Sequence, residues 1–240
     1  MTQTAALFKS PVNKSSNVKL VSYSQPSKEF LTEGIEDVQD LIAFCAKVSN
    51  PSGQMNMETS ERLIRYLVKH QHWSPLEMVN ACLEITTTRD IARQILRHRS
   101  FSFQEFSQRY ADPTKDLDFV VREARLQDPT NRQNSIKTDD APLQAWWDAQ
   151  QKFIIDRAKD IYNEAIKRGI AKEQARAILP EGNTVSRMYM NGTIRSWIHY
   201  IDLRSGNGTQ SEHMDVALAC AKVIADIFPM AKEFDNGSKD

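Results

Sequence analysis

The 240-residue chain has few of the features that mark several common protein classes. It contains three cysteines, at positions 45, 82 and 220, and no Cys-x-x-Cys pair. Such a scattered, odd-numbered set argues against a disulfide framework or a thiolate zinc site and predicts reduced, buried thiols. No apolar run approaches the roughly 18 residues that a membrane span needs, and the N-terminus has no secretory signal core. We therefore expect a cytoplasmic protein that does not contact a membrane.

Net charge and glycine are also scarce. The 31 basic residues are balanced by 31 acidic residues, whereas a nucleic-acid binder usually shows net positive charge or a basic tail. The eight glycines form neither a Gly-x-Gly-x-x-Gly nor a Gly-x-x-x-x-Gly-Lys motif, which excludes a dinucleotide-binding Rossmann loop and a P-loop. A bound nucleotide would have to be held by side chains.

The hydrophobic periodicity predicts a helix-rich α+β fold, a single domain over residues 18–232 that follows a flexible segment at 1–17. Strands are expected near 18–23, 78–87 and 183–190. Helices are expected at 36–48, 58–70, 88–99, 143–168, 172–179, 193–203 and 212–228. Residues 111–142 are polar and turn-rich, and they predict a surface excursion with at most one strand, at 118–121.

One segment, 97–110, concentrates the chemistry. Arg-His-Arg at 97–99 is followed, after seven residues, by Ser-Gln-Arg at 107–109, with Glu105 just before the serine. Arginine forks bind phosphate oxygens or carbonyl edges bidentately, which a lysine point charge cannot do. The segment therefore suits a ligand that carries several anionic groups.

A simpler explanation is a charged helix end that runs into a loop. A helix C-terminus carries partial negative charge, so cationic side chains at 97–99 would be favourable there without any ligand. That explanation leaves Arg109 and the interleaved Phe101, Phe103 and Phe106 unexplained. These rings also allow a third hypothesis, an RNA-binding module that stacks bases on them, against which the zero net charge counts.

The spacing Arg-His-Arg, seven residues, Ser-x-Arg resembles the signature of the flavin-dependent thymidylate synthases. The stretch from His72 to Glu77 is similar to that family's His-x-Ser-Pro-x-Glu-His, with Met78 in place of the final histidine. Residues 175–180 resemble its Ala-Arg-x-x-Leu-Pro, and Arg187 and 193–204 match the segment that follows. The resemblance covers most of residues 58–225 and is strongest at 88–110 and 175–213.

The resemblance implies an antiparallel sheet, a homotetramer with active sites shared between subunits, and two sets of binding residues. Those implied for FAD are His72, Ser74, Arg97, His98, Arg99, Glu105, Thr193, Arg195 and His199. Those implied for dUMP are Gln94, Arg97, Glu105, Phe106, Ser107, Gln108, Arg109, Arg176 and Arg204.

Arg204 is the residue that we expect to be catalytic. A permanently charged guanidinium against the N3–O4 edge of the uracil would favour the ionised ring, which increases electron density at C5. His199 cannot take this role because its charge near neutral pH is conditional. Ser107 is expected to donate a hydrogen bond to phosphate; attack on C6 by its hydroxyl would need a positioned base.

The implied reaction is reductive methylation of dUMP to dTMP, with methylenetetrahydrofolate as one-carbon donor, FAD as redox mediator and NADPH as reductant. No metal is expected, because His70 and His72 have no third ligand nearby. A protein of the same fold that binds flavin and nucleotide without turnover stays open, and Met78 is the residue that favours it.

Overall fold

The computed structural model describes residues 17–206 and 208–233, and this part of the chain contains six strands in two antiparallel sheets. The strands are β1 (Asn17–Tyr23), β2 (Asn80–Thr88), β3 (Ser102–Glu105), β4 (Arg125–Gln127), β5 (Ser135–Lys137) and β6 (Val185–Thr193). The main sheet has the order β1-β2-β6-β3, and β4 pairs with β5 as a separate hairpin.

Helices surround the main sheet. They are α1 (Lys28–Thr32), α2 (Val38–Ala46), α3 (Ser60–Lys69), α4 (Arg89–Ile95), α5 (Pro113–Asp116), α6 (Ala141–Lys167), α7 (Lys172–Ala175), α8 (Ile194–Ser205) and α9 (Ser211–Ile227). Short 3₁₀ turns lie at 51–53, 57–59, 74–77, 176–178 and 229–233. None of the helices in the described ranges is both long and apolar enough to cross a membrane.

Strand β2 forms because its sequence alternates apolar and polar residues at the period of a strand. Ala81, Leu83 and Ile85 are buried, whereas Cys82 and Glu84 on the other face are half-buried. The buried face joins one large core with apolar residues of α2, α3, α4, α8 and α9. The main core therefore packs against one face of the sheet.

Trp197 of α8 ties this helix to the sheet and to the segment at 97–101. Its side chain is fully buried, and its Nε1 donates a hydrogen bond to the carbonyl of Ala81 at 3.0 Å. Its ring meets the Phe101 ring edge-on, with centroids 4.8 Å apart. Gly192 of β6 leaves room for that ring, because a Cβ there would lie 2.4 Å from Phe101.

The predicted fold class is confirmed: the chain is helix-rich with an antiparallel sheet. Most predicted elements exist with bounds that differ by a few residues; for example, the helix expected at 193–203 runs from Ile194 to Ser205. The helix expected at 88–99 is too long, since it ends at Ile95. Beyond Ile95 the backbone continues in turns, with the Arg97 N–H bonded to the Gln94 carbonyl and the His98 N–H to the Ile95 carbonyl, before β3 pairs with β6.

The prediction for residues 111–142 was wrong in detail. This region contains α5 and the β4–β5 hairpin, whereas 118–121 contributes an isolated bridge between Phe119 and Thr184. The backbone here is held by side chains of α6: Gln144 bonds to both the N–H and the carbonyl of Ala124, and Gln151 does the same for Arg122. Such long-range contacts leave no local pattern in the sequence.

The expected flexible segment at 1–17 falls almost wholly on residues 1–16, which lie outside the described residues. Asn17 is already the first residue of β1, so the predicted boundary was late by one residue. The short helix α1 was not predicted, because five residues are too few for a helical period to be recognised.

Candidate active site

The side chains implied for flavin and nucleotide fall into three groups, which α4, α8 and β6 hold in place. The Arg204 group, at the C-terminal end of α8, comprises Gln94, Arg97, His98, Arg99 and Arg204. The Arg109 group, at the start of β6, comprises Glu105, Phe106, Ser107, Gln108, Arg109 and Arg176. The Arg195 group, at the N-terminal end of α8, comprises His72, Ser74, Thr193, Arg195 and His199.

The Arg204 group is organised by one hydrogen bond. Arg204 Nε donates to His98 Nε2 at 3.0 Å. Because a guanidinium can only donate, His98 must accept at Nε2 and carry its proton on Nδ1. Burial, together with the charges of Arg204 and Arg97, lowers the pKa of His98 to about 4. A neutral imidazole therefore holds the Arg204 fork without repelling it.

Four further polar residues extend this group, and the sequence did not identify them. His213, which is fully buried, lies 3.2 Å from both Gln94 Oε1 and the Tyr200 hydroxyl through its two ring nitrogens. Gln94 donates to Gln210 at 2.8 Å, and Gln210 donates to Glu212 at 3.0 Å. Burial, followed by the charge of Arg204, lowers the pKa of His213 to about 3.

One signal in the sequence could have revealed His213. On α9 it shares a helical stripe with Val216, Ala217, Cys220 and Ile224, all of which are buried. A histidine on an apolar stripe must find hydrogen-bond partners inside the protein, because an unpaired buried ring nitrogen is costly. The position of His213 in the sequence does not reveal that these partners are Tyr200 and Gln94.

In the Arg109 group, two arginines contact the same residue, Glu173, one at its carboxylate and the other at its backbone carbonyl. Arg109 Nε lies 3.3 Å from a Glu173 carboxylate oxygen, and Arg176 Nε donates to the Glu173 carbonyl at 3.3 Å. The Arg109–Glu173 pair is about half exposed, so an anion could replace the carboxylate at little cost. The Ser107 hydroxyl accepts from the Arg109 N–H at 3.3 Å and keeps its own proton for a ligand.

Glu105 and Gln108 form the inner part of the same group. Glu105 accepts a hydrogen bond from Ser186 at 2.8 Å and lies 3.5 Å from Arg89, a buried arginine that the sequence did not identify as a site residue. Gln108 is 3% exposed, and its Nε2 has no hydrogen-bond partner among the described residues. An unpaired buried donor costs about 1–3 kcal/mol, which a ligand oxygen could recover.

The Arg195 group surrounds the first turn of α8. Thr193 caps the helix by accepting the Ser196 N–H at 3.1 Å, and Arg195 pairs with Glu77 of the 3₁₀ turn at 74–77. The His199 ring packs on Trp73 with centroids 4.4 Å apart, and both rings line a cavity of about 360 Å³. Burial and the charge of Arg195 lower the pKa of His199.

The remaining members of this group are open to solvent. His72 and Ser74 are both exposed, and the His72 ring lies 6.1 Å from the ring of Tyr66. Met78, which stands where the family motif has histidine, is 54% exposed. Among the described residues, His72, Ser74 and Met78 therefore leave this side of the site open.

The three groups do not meet within one protomer. Arg195 and Arg204 lie nine residues apart on α8, which separates them by about 13 Å. Glu105 pairs with Met188, and Thr193 lies five residues further along β6, or about 17 Å away. Arg89 and Gln94 are about 140° apart around α4, so the Arg109 and Arg204 groups face different sides of that helix. The three groups therefore lie at separate places along α4, α8 and β6.

A cleft of about 830 Å³ opens beside the Arg204 group. Gln210, the β4–β5 hairpin and the start of α6 line it. Its walls carry Arg132 and Lys137 and the stacked rings of Trp146 and Trp147, whose centroids are 6.1 Å apart. Cationic and aromatic side chains together suit a ligand that combines a flat ring with anionic groups.

The structure does not support two other readings of these segments. Phe101 is 9% exposed and packs on Trp197, which leaves its ring little surface for stacking a nucleic-acid base, and Phe103 is half-buried against the main core. In the part of the chain that the structure describes, no three His, Cys, Asp or Glu side chains cluster as metal ligands.

Comparison with known proteins points in one direction. The family model described as thymidylate synthase complementing protein matches residues 30–230. A "probable flavin-dependent thymidylate synthase" of Paramecium bursaria Chlorella virus 1 is 46% identical over 220 residues, which are 91% of this chain and 99% of the relative. A "flavin-dependent thymidylate synthase" of Synechocystis is 45% identical over 89% of this chain and 96% of its own length.

A solved structure is also similar. PolB of Streptomyces cacaoi, described as a UMP/dUMP methylase and crystallised with 5-Br dUMP, superposes with a TM-score of 0.75 at 25% identity. The match covers 93% of this chain and 95% of PolB.

Proposed function

The chain belongs to the thymidylate synthase complementing protein family, whose members are flavin-dependent thymidylate synthases, and from that membership we propose that it methylates C5 of dUMP to give dTMP. Methylenetetrahydrofolate supplies the one-carbon unit, FAD mediates the redox step, and NADPH is the reductant. The observation that carries this proposal is the Arg204 guanidinium, held by a neutral His98 beside Gln94.

Arg204 stabilises the charge that develops on the uracil. Its Nε is engaged by His98, and its two terminal nitrogens make no hydrogen bond to the described residues, so they are free for the N3–O4 edge. A fixed cation at that edge favours the ionised ring and increases the nucleophilicity of C5. His98 carries no charge at neutral pH, so it orients Arg204 without competing for the anion.

The Arg109 group takes the phosphate of dUMP. Arg109 pairs with the Glu173 carboxylate, Arg176 donates to the backbone carbonyl of the same residue, and the Ser107 hydroxyl accepts from the Arg109 N–H. Two guanidinium forks and a hydroxyl are the donors that a phosphate monoester needs. Ser107 acts as a hydrogen-bond donor here, because among the described residues no base contacts its hydroxyl to make it a nucleophile.

The residues present fit a flavin. The Arg195 group offers a guanidinium for a diphosphate and the His199 ring, packed on Trp73, for the flat ring system. Arg97, His98 and Arg99 supply further donors from the Arg204 group. When bound, the flavin provides the redox chemistry that no side chain of the protein can provide. The protein binds it, orients it and excludes water.

We further propose that the enzyme is a homotetramer. Since the three groups lie about 13 to 17 Å apart in one protomer along α8 and β6, a shared site between copies is the simplest way to bring them around one nucleotide. The exposed Arg109 and Arg176 would then face the Arg204 group of a neighbouring protomer.

The test is spectroscopic and chemical. Purified protein should show a flavin absorbance spectrum that NADPH bleaches and dUMP perturbs, and it should release tritium from C5-labelled dUMP only when methylenetetrahydrofolate is present. A yellow protein that binds dUMP but releases no tritium would mean that the fold is retained without turnover. Absence of both flavin and dUMP binding would overturn the proposal altogether.

A further inference from the structure

A chain of hydrogen bonds runs through the protein interior behind Arg204. It links the Tyr200 hydroxyl to His213 at 3.2 Å, His213 to Gln94 at 3.2 Å, Gln94 to Gln210 at 2.8 Å and Gln210 to Glu212 at 3.0 Å. Tyr200, His213 and Glu212 are each at most 3% exposed. Water therefore has little access to these side chains, so each of them must find its hydrogen-bond partner in the neighbouring side chain.

The carboxylate of Glu212 sets the direction of this chain. Its Oε1 lies 2.6 Å from the Arg125 guanidinium, which is always charged, so the carboxylate is ionised and can only accept. Gln210 must turn its NH₂ group toward Glu212, and its carbonyl then faces Gln94. Gln94 must in turn present its NH₂ group to Gln210 and its carbonyl to His213.

The same logic fixes the histidine. Because the Gln94 carbonyl can only accept, His213 must carry its proton on Nδ1, and its bare Nε2 accepts from the Tyr200 hydroxyl. The reversed chain would set the Gln210 carbonyl against the Glu212 carboxylate with no hydrogen between them. Two opposed acceptors in a buried place cost on the order of 1–3 kcal/mol or more, so the direction is well determined.

We propose that Glu212 and His213 are positioning residues that lock the Gln94 amide from both ends, so that Gln94 presents an N–H rather than an oxygen on its Gln210 side. Gln210 lines the large cleft, and the Gln94 amide lies directly behind it, with one N–H bonded to Gln210 and the second N–H left for a ligand. The nucleotide atom recognised there is therefore a hydrogen-bond acceptor, such as a carbonyl oxygen of uracil, and not an amino group. The assignment rests on the proposed function in one respect, the contact between Gln94 and dUMP.

Glu212→Gln is the decisive variant. Arg125 would hold the new amide by its oxygen, because a guanidinium needs an acceptor, and the amide NH₂ would then face Gln210. Every bond of the chain would reverse: Gln210 and Gln94 would flip, and His213 would carry its proton on Nε2 and donate to Tyr200. Gln94 would then present its side-chain oxygen at the position where it presents an N–H in the parent protein.

Nitrogen-15 NMR of histidine-labelled protein reads this change directly, since the chain has five histidines. The parent protein should show His213 as a single tautomer protonated at Nδ1, and Glu212→Gln should show it protonated at Nε2. A matched control is Asp215→Asn, an exposed carboxylate on the same helix, which should leave the tautomer unchanged. A parent protein protonated at Nε2, or a Glu212→Gln variant with the parent tautomer, would overturn the proposal.

Nucleotide binding supplies the second readout. Glu212→Gln should weaken dUMP binding by about tenfold or more, because an acceptor would face the acceptor of the base, whereas kcat at saturating dUMP should change less. Unchanged dUMP affinity in a variant whose His213 tautomer has reversed would overturn the role in recognition. The tautomer measurement needs no turnover, so it stays informative even if the protein makes no dTMP.

Discussion

Replacing Arg204 with alanine removes the charge that we expect to act on the uracil ring. Arg204 has one protein hydrogen bond among the described residues, from Nε to His98 at 3.0 Å, so most of its donors are free for the substrate. A single preorganised donor at a developing oxyanion contributes about 2.7–4 kcal/mol to the barrier, or roughly 10²–10³ in kcat. Because the Arg204 guanidinium is charged and has several donors, its contribution to the barrier should lie at the upper end of that range.

The effect on stability should be much smaller. Arg204 is half-buried at the end of α8, and its loss leaves His98 Nε2 without its donor, at a cost of about 1 kcal/mol. The assay is tritium release from C5-labelled dUMP in single-turnover mode, with dUMP binding followed separately by its effect on the flavin spectrum. The variant should bind dUMP measurably while turnover falls by at least about a hundredfold.

A matched control is Arg168→Ala, which removes an exposed arginine that pairs with Glu164 on the surface of α6. It should turn over normally and change the unfolding free energy by less than about 1 kcal/mol. Turnover of Arg204→Ala within about threefold of the parent enzyme would refute the assigned role of Arg204.

Three further outcomes are expected. Gly192→Ala should lower the unfolding free energy by about 1–3 kcal/mol in urea denaturation, because the added Cβ would lie 2.4 Å from the Phe101 ring; an unchanged midpoint would contradict this packing. Folding lowers the pKa of His98 to about 4 and of His213 to about 3, so the unfolded chain binds more protons below pH 6.5. The unfolding free energy should therefore fall as the pH falls from about 6.5 to 4, by at most roughly 1.4 kcal/mol per unit for each histidine, and His213→Leu should reduce that slope; a flat profile would contradict the buried neutral histidines. In the native protein a thiol reagent should label Cys45 and Cys82 before Cys220, which is fully buried and whose pKa burial raises; early labelling of Cys220 would show that α9 is not packed as described.

Periodicity in the sequence predicted the elements that carry a buried stripe or alternating strand. The apolar stripe of α8, with Ile194, Trp197, Ile198 and Ile201, was predicted and is buried. Strand β3 was missed because its four residues, Ser102 to Glu105, are too few to establish a strand period, and their pairing with β6 is a long-range contact. The β4–β5 hairpin was missed for the same reason, since side chains of α6 hold the backbone that leads into it.

The candidate site was predictable only as far as its motifs extend. Residue type and clustering pointed to the arginines of the 97–109 segment, whereas Arg176, Arg195 and Arg204 came only from the resemblance to the family motifs. The buried hydrogen-bond chain through His213, Gln210 and Glu212 was not predicted, because it depends on which side-chain atoms are in contact in the folded protein. In one protomer the three groups of site residues lie at separate positions, and the sequence did not predict their relative placement.

Complementation between inactive variants tests most directly whether guanidinium groups from different protomers surround one nucleotide. Arg204→Ala removes the Arg204 group's cation and Arg109→Ala removes a phosphate donor, so each variant alone should be inactive. When the two are unfolded and refolded together, random assembly should give about a quarter of the sites both intact groups, and activity should return to about that fraction of the parent. A mixture that forms hybrid oligomers by native mass spectrometry yet stays as inactive as either variant would contradict a shared site.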